Sequence, residues 1–376
     1  MKVLFVRITN RISGAEKYNY YLAQELIRYS DIKPVFLTDC EDFANHLSSQ
    51  GYFSYKLPII IKEVGTKKDL LSFFRFFPQY LFIFIFEIHK LRKVHKFNII
   101  CFESMTEKIF LTPLLRLFSY KIVWIEHGPL FATESAWLIK KLYYLVSKFS
   151  NKIITVSRAT ENDLLSGGIS QLKISTIYIG IDIKDFQNDI ESKDRIVPTK
   201  KKVIGFIGTL NQQKGIERFM DITEMLLKKD PNLFFLIVGD GPQYYQIISL
   251  LKQRRIESKF LLTGYVEDVS LYLRQMNIVI FPTQHHEGLS LAILESLAAG
   301  NLIFAYDIGG NSEVIIDNIT GYIFKDINNK LVDLILSKLY DRDNQKRIQL
   351  NSFRQINKYF NQQRQAQKFK TLLSSI

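Results

Sequence analysis

Two carboxylates and one ammonium are the most informative chemical groups in this sequence. Glu287 and Glu295 frame the run Glu287-Gly-Leu-Ser-Leu-Ala-Ile-Leu-Glu295, which reads as the start of a largely buried helix with Gly288 beside the first carboxylate. Glycine lets a ligand approach the main chain, and a helix N-terminus offers N–H donors and positive dipole to an anion. Earlier in the same half of the chain stands a second glycine-framed anion site, Gly208-Thr-Leu-Asn-Gln-Gln-Lys214-Gly215. A diphosphate for the amides and the ammonium, with hydroxyls for the carboxylates, together describe a sugar nucleotide. Glu295 lies among Leu289, Leu291, Ala292, Ile293 and Leu294, so its burial demands a polar partner, which a ribose would supply.

The elements that must position these groups follow a hydrophobic rhythm. Strands are expected at 3–8, 34–38, 98–102, 122–125 and 153–156, with amphipathic stretches such as 15–29 and 135–149 between them. That alternation predicts a parallel sheet covered by helices on both faces. Residues 185–202 are charged, poor in large apolar groups and contain Pro198, the pattern of a linker. The rhythm restarts at 203–207, 234–238, 260–262, 278–281 and 302–305. A chain of 376 residues is long for one core. The α/β fold expected is therefore two doubly wound domains facing a central cleft, with ligands beyond the carboxyl ends of the strands.

Composition narrows the field. Hydrophobic residues at 47% and charged residues at 23% describe a folded chain. Cys40 and Cys101 make no disulfide framework, and no C-x-x-C or His/Cys cluster offers a metal site, which fits a reducing cytoplasm. The opening residues 1–8 are too short for a signal peptide and read as a first strand. A formal charge of +13 leaves nucleic acid and an anionic membrane open. No zinc-finger spacing or RNP-like aromatic motif supports nucleic acid. The phenylalanine-rich stretch 70–86 is interrupted by Arg75, Pro78 and Gln79 and followed by Glu87, which argues against a transmembrane helix. Flanking Lys67, Lys68, Lys90, Arg92, Lys93 and Lys96 suit a segment lying at a lipid interface, and a buried helix with a greasy helix–helix surface suits it equally.

The two glycine-framed motifs resemble those of the retaining, nucleotide-sugar-dependent glycosyltransferases of family 4, whose patterns are E-G-F-G-x-x-x-x-E and G-R-L-x-x-x-K-G. Supporting fragments follow in order: Val238-Gly-Asp-Gly-Pro242, Phe260-Leu-Leu-Thr-Gly-Tyr-Val266 and Asp307-Ile-Gly-Gly-Asn-Ser-Glu313, and Glu126-His127-Gly128 in the first half resembles the family's His-Gly after a strand. The resemblance implies a GT-B fold of two Rossmann-like domains. Residues 1–184 would bind the acceptor and 203–358 the donor; 359–376 would form a helix crossing back to the N-terminal domain. It also implies roles. Glu287 would lie near the anomeric centre, and His127 would be a second catalytic residue that bonds the transferred sugar. Gly208, Lys214 and the amides of Gly288, Leu289 and Ser290 would hold the diphosphate and sugar. Glu295 would take the ribose, Tyr265 and Val266 would face the base, and Gly14 would line the donor loop or simply start a helix. Thr209 stands where the family carries Arg, so one charge is missing at a phosphate-binding position.

The expected activity is retaining, metal-independent transfer of a sugar from a nucleoside diphosphate, UDP or GDP, with no cofactor. The acceptor would be a hydroxyl of a glycan or lipid-linked saccharide in envelope, capsule or lipopolysaccharide assembly. The protein would be cytoplasmic, peripheral on the inner face of the membrane and unconnected with nucleic acid. A nucleotide-sugar epimerase and a non-catalytic nucleotide-sugar-binding protein are the alternatives.

Overall fold

A computed structural model describes residues 1–9, 12, 14–59, 67–128, 137–187, 195–198 and 201–376, the side chains of 67–75, 137 and 138 excepted. The chain forms two units. Met1–Ile179 and Gln362–Ile376 make the first, and Gly180–Asn361 the second.

In the first unit, apolar runs form β1 (Lys2–Arg7), β2 (Lys33–Thr38), β3 (Phe53–Lys56), β4 (Ile99–Phe102), β5 (Lys121–Glu126), β6 (Lys152–Thr155) and β7 (Ile174–Thr176). Helices α1 (Gly14–Tyr29), α2 (Glu41–Ser49), α3 (Lys67–His95), α4 (Met105–Leu117), α5 (Trp137–Ser147) and α6 (Arg158–Ser166) connect successive strands. All pairings are parallel in the order β3-β2-β1-β4-β5-β6-β7. Strands buried on both faces read as continuous apolar runs, as β1 and β4 do. Trp124 and Tyr143 are fully buried between sheet and helix, their rings 4.9 Å apart. The strand order reverses between β1 and β4, which makes their carboxyl ends the binding edge.

The second unit repeats the plan. Its strands are β8 (Val203–Ile207), β9 (Phe234–Val238), β10 (Phe260–Leu262), β11 (Ile278–Phe281), β12 (Leu302–Tyr306) and β13 (Tyr322–Phe324). Its helices are α7 (Ile216–Lys229), α8 (Tyr244–Gln253), α9 (Ser270–Leu273), α10 (Leu291–Ala298), α11 (Asn311–Val314), α12 (Asn329–Tyr340) and α13 (Arg342–Tyr359). The parallel order is β10-β9-β8-β11-β12-β13, and the reversal falls between β8 and β11. Phe206, Phe219 and Phe235 fill the space between sheet and α7, each burial contributing about 1.5–3 kcal/mol.

Two expected boundaries change. The unit boundary lies at residue 179 rather than 184, because the following segment is built into the second unit. Ile181 bridges Asn361, its N–H donates to the Phe360 carbonyl at 2.8 Å, and Phe186 is buried. Much of the expected linker, 188–194 with 199 and 200, lies outside the described residues. The final helix, α14 (Gln362–Ser374), starts at 362 rather than 359 and lies in the first unit, where Phe369 stacks on Phe5 at 6.0 Å and Lys370 meets Asp31 at 2.7 Å. Helix α3 runs through Pro78 to His95. Among the described residues no helix is long and apolar enough to cross a membrane.

Candidate active site

The carboxyl ends of β8 and β11 carry the two sequence motifs of the second unit. Beyond β8 the chain turns at Gly208, whose φ of 143° favours glycine, and whose N–H donates to the Val238 carbonyl at 3.0 Å. The loop nests against the β9 turn so closely that an added Cβ on Gly239 would come within 2.0 Å of the Gly208 oxygen. That contact explains Gly239, and a Cβ on Gly241 would lie 2.5 Å from the Leu210 carbonyl oxygen. The loop then makes a turn in which the Lys214 N–H donates to Asn211 Oδ1 at 2.8 Å, and α7 starts after Gly215. Gly215 has φ 76°, and a Cβ there would lie 2.2 Å from the Pro282 carbonyl oxygen at the end of β11. Main-chain contact thus ties one motif to the other. The Gln284 N–H, which donates to the Gln213 carbonyl at 2.8 Å, adds a second tie.

This packing brings Lys214 Nζ into an ion pair with Glu287 Oε1, two side chains that remain partly exposed. The Glu287 main chain is held from the other side. Its carbonyl accepts the Gly310 N–H at 3.0 Å, and a Cβ on Gly309 would approach that carbonyl oxygen to 2.4 Å. The Gly-Gly of Asp307-Ile-Gly-Gly is therefore the seat of the Glu287 loop. Gly288, Leu289 and Ser290 lead into α10, and among the described residues none of their amides donates a hydrogen bond. An ammonium, a carboxylate and free N–H groups at a helix start can hold a phosphate beside a hydroxylated ring.

The remaining donor-side candidates lie farther along the same edge or beneath it. Tyr265 follows Gly264, whose carbonyl accepts the Gly239 N–H at 3.0 Å; Tyr265 is exposed and Val266 half-buried. Glu295 is 3% exposed on a helix buried along nearly its whole length. Thr209 is half-buried, and its carbonyl accepts the Asn211 N–H at 2.9 Å. Sequence reading missed Arg218, one turn beyond Lys214 on α7. Its guanidinium lies 4.0 Å above the Tyr306 ring and donates to the Pro282 carbonyl at 3.5 Å. A second cation just past the Lys214-Gly215 turn was the available signal.

In the first unit, His127 follows β5, with its ring Nε2 3.0 Å from Glu103 Oε2. Glu103 follows β4, is buried, and also accepts from Asn19 Nδ2 at 2.8 Å. Tyr18 meets the His127 ring edge-on at 4.8 Å. The neighbouring Glu126 turns inward to Lys108 at 2.7 Å and to the Tyr143 hydroxyl at 2.6 Å. Burial, then the Glu126 carboxylate, pushes the Tyr143 phenol up, so it stays a donor. Arg7 at the end of β1 pairs with Glu16 at 2.7 Å. Glu107 caps α4 by accepting the Ser104 N–H at 2.6 Å, and burial pushes its carboxyl up to about 7. Glu103, like His127, stands directly after a buried strand, a position that could have marked it. Gly14 opens α1 with nothing within 4 Å of an added Cβ, so the described fold does not require glycine there. Ser13 lies outside the described residues. Among those residues no group of three or more His, Cys, Asp or Glu is arranged to hold a metal ion.

Comparison with known proteins adds the family. The model described as Glycosyl transferases group 1 matches residues 187–355, and that of Glycosyltransferase Family 4 matches residues 12–185. An uncharacterized glycosyltransferase of Methanocaldococcus jannaschii is 25% identical over 83% of this chain and 87% of its own length. The UDP-Gal:alpha-D-GlcNAc-diphosphoundecaprenol alpha-1,3-galactosyltransferase of Escherichia coli is 24% identical over 72% of this chain and 70% of its own. Among solved structures, Anabaena HepE in complex with UDP superposes with a TM-score of 0.83 at 16% identity, covering 100% of both chains. The fold is GT-B.

Proposed function

This chain belongs to glycosyltransferase family 4, and from that premise we propose that it moves a sugar from a nucleoside diphosphate, UDP or GDP, to a hydroxyl of a glycan or lipid-linked saccharide, with retention. The observation that carries this reading is the Lys214–Glu287 pair beside the free amides of Gly288–Ser290, at the reversal point of the second sheet. As the bond from the anomeric carbon to the phosphate oxygen breaks, negative charge grows on the diphosphate. Lys214, the Gly208 loop, the Thr209 hydroxyl and those amides stabilise it where it develops. The sugar passes through an oxocarbenium-like state. The acceptor oxygen bonds to the anomeric carbon from the leaving-group face, and its proton passes to the departing phosphate. Glu287 stabilises the positive sugar, His127 bonds a sugar hydroxyl, Glu295 takes the ribose, and Tyr265 and Val266 cover the base. Gly14 leaves room for the donor. Ammonium and amides take the place of a divalent ion.

The acceptor class follows the Escherichia coli relative, whose name specifies a diphosphoundecaprenol-linked sugar. Polysaccharide or envelope assembly is the matching setting. Phe82 and Phe86 stack 6.2 Å apart on the exposed side of α3, and Leu117 and Phe118 are exposed at the end of α4. Arg92 joins the two by donating to the Phe118 carbonyl at 3.5 Å. With Lys90 exposed alongside, this surface suits peripheral contact with an anionic bilayer at the cytoplasmic face.

Incubating the purified protein with UDP-, GDP- and ADP-sugars and membranes tests the assignment. Label entering lipid or glycan supports transfer. An epimer in solution would instead establish an isomerase, and binding without turnover a carrier.

A further inference from the structure

At the reversal point of the first sheet, β4 ends in a buried carboxylate to which the proposed transfer assigns no part. Glu103 is 4% exposed; its Oε2 accepts from both Asn19 Nδ2 at 2.8 Å and His127 Nε2 at 3.0 Å, while Oε1 is buried without a partner among the described residues. A half-satisfied buried carboxylate is a poor way to stabilise a fold; an apolar residue would cost less. What the carboxylate does achieve is control of one ring. It only accepts, so Nε2 of His127 must carry a proton, and the neutral imidazole is then confined to the tautomer whose Nδ1 is an acceptor. The Tyr18 ring edge fixes the plane, and the inward pairing of Glu126 with Lys108 and Tyr143 anchors the preceding residue. Nδ1 has no partner among the described residues, and 20% of the His127 side chain remains exposed.

We propose that Glu103 is a positioning residue for the transfer: it takes the Nε2 proton of His127, sets the tautomer and leaves Nδ1 as the nitrogen presented to the sugar. This rests on the reading above that His127 bonds the transferred sugar.

The test uses the full-length chain labelled with 15N. Of its six histidine rings, His127 is assigned by the signal lost in His127→Gln. The parent should show the Nε2-protonated tautomer at His127. Glu103→Leu should give a mixture of tautomers and lower kcat by about 10–100-fold, with the donor KM within about threefold. Glu103→Gln, whose amide oxygen still accepts from Nε2, should recover the tautomer and most of kcat. An Nδ1-protonated ring in the parent, or a Glu103→Leu protein with lower melting point but unchanged tautomer and kcat, overturns the positioning role. If the parent turns over no sugar nucleotide, the transferase reading fails separately, while the tautomer of His127 still reports on Glu103.

Discussion

The two units place ionisable groups at the same point of the same topology, yet hold them in opposite ways. In the second unit the Lys214–Glu287 pair is partly exposed, and backbone holds the loops beneath it: Gly215 against Pro282, Gly309 and Gly310 against Glu287. In the first, Glu103, Glu107 and Glu126 are buried and each is met by side chains or a cap. A group held by its main chain keeps a free side chain and can exchange its partner for a ligand. A group held by side chains is committed to its neighbours and can only direct one of them. The second unit is thus built to meet charge that arrives, and the first to keep one ring in place.

The strongest way to break this comparison is Glu287→Ala. It should lower transfer by at least about a thousandfold while leaving the melting point unchanged, because loop geometry does not depend on the side chain. Freed from its partner, Lys214 should bind the bare nucleoside diphosphate as well as or better than before, by calorimetry. Full transfer activity in this variant would remove Glu287 from the mechanism.

Next comes Glu107, the counterpart case of a committed carboxylate. Its folded value of about 7 lies above the reference 4.5, so the folded state binds the proton more tightly. The stability it contributes is complete below about pH 4.5 and is lost as pH rises through about 7, amounting to roughly 3 kcal/mol. Glu107→Gln keeps an acceptor for the Ser104 N–H and should remove that part of the pH dependence. Denaturant melts of parent and variant at pH 5 and pH 8 measure it; identical slopes would refute the assignment.

Paired glycine substitutions sharpen the contrast further. Gly215→Ala forces a Cβ onto the Pro282 carbonyl from a left-handed backbone, and should cost about 1–3 kcal/mol and weaken donor binding with it. Gly14→Ala meets open space and should leave the melt within about 0.5 kcal/mol. A loss of donor affinity in Gly14→Ala without loss of stability would mark Gly14 as a ligand contact.

The smallest effect expected is a gain. Thr209→Arg adds a bidentate cation beside the Gly208 turn and should tighten nucleoside diphosphate binding by about 3–10-fold in calorimetry. No gain would mean that another group already meets the phosphate. Arg218 is the first to examine, although it is engaged with Tyr306 and Pro282.

Much of the fold could be read directly from the chain. Both domains, the strands buried on two faces and the motif loops follow from apolar runs ended by Gly, Pro and polar residues, since each is a local consequence of burial. The strands that escaped notice were β3, β7 and β13, all at sheet edges. There a strand is short or half-exposed, as in β3, and leaves no continuous apolar run. Helix α3 continues through Pro78, because one missing hydrogen bond in a long helix is outweighed by its packing.

What sequence determined alone was the inventory: an ammonium, a glutamate and glycine turns in the right order, and a histidine after a strand. What tertiary structure decided was pairing. Lys214 meets Glu287 because β8 lies beside β11, and Glu103 meets His127 because β4 lies beside β5. Neighbours in a parallel sheet are separated by whole crossover connections, so these contacts depend on strand order, which leaves no local signature in the residues that make them.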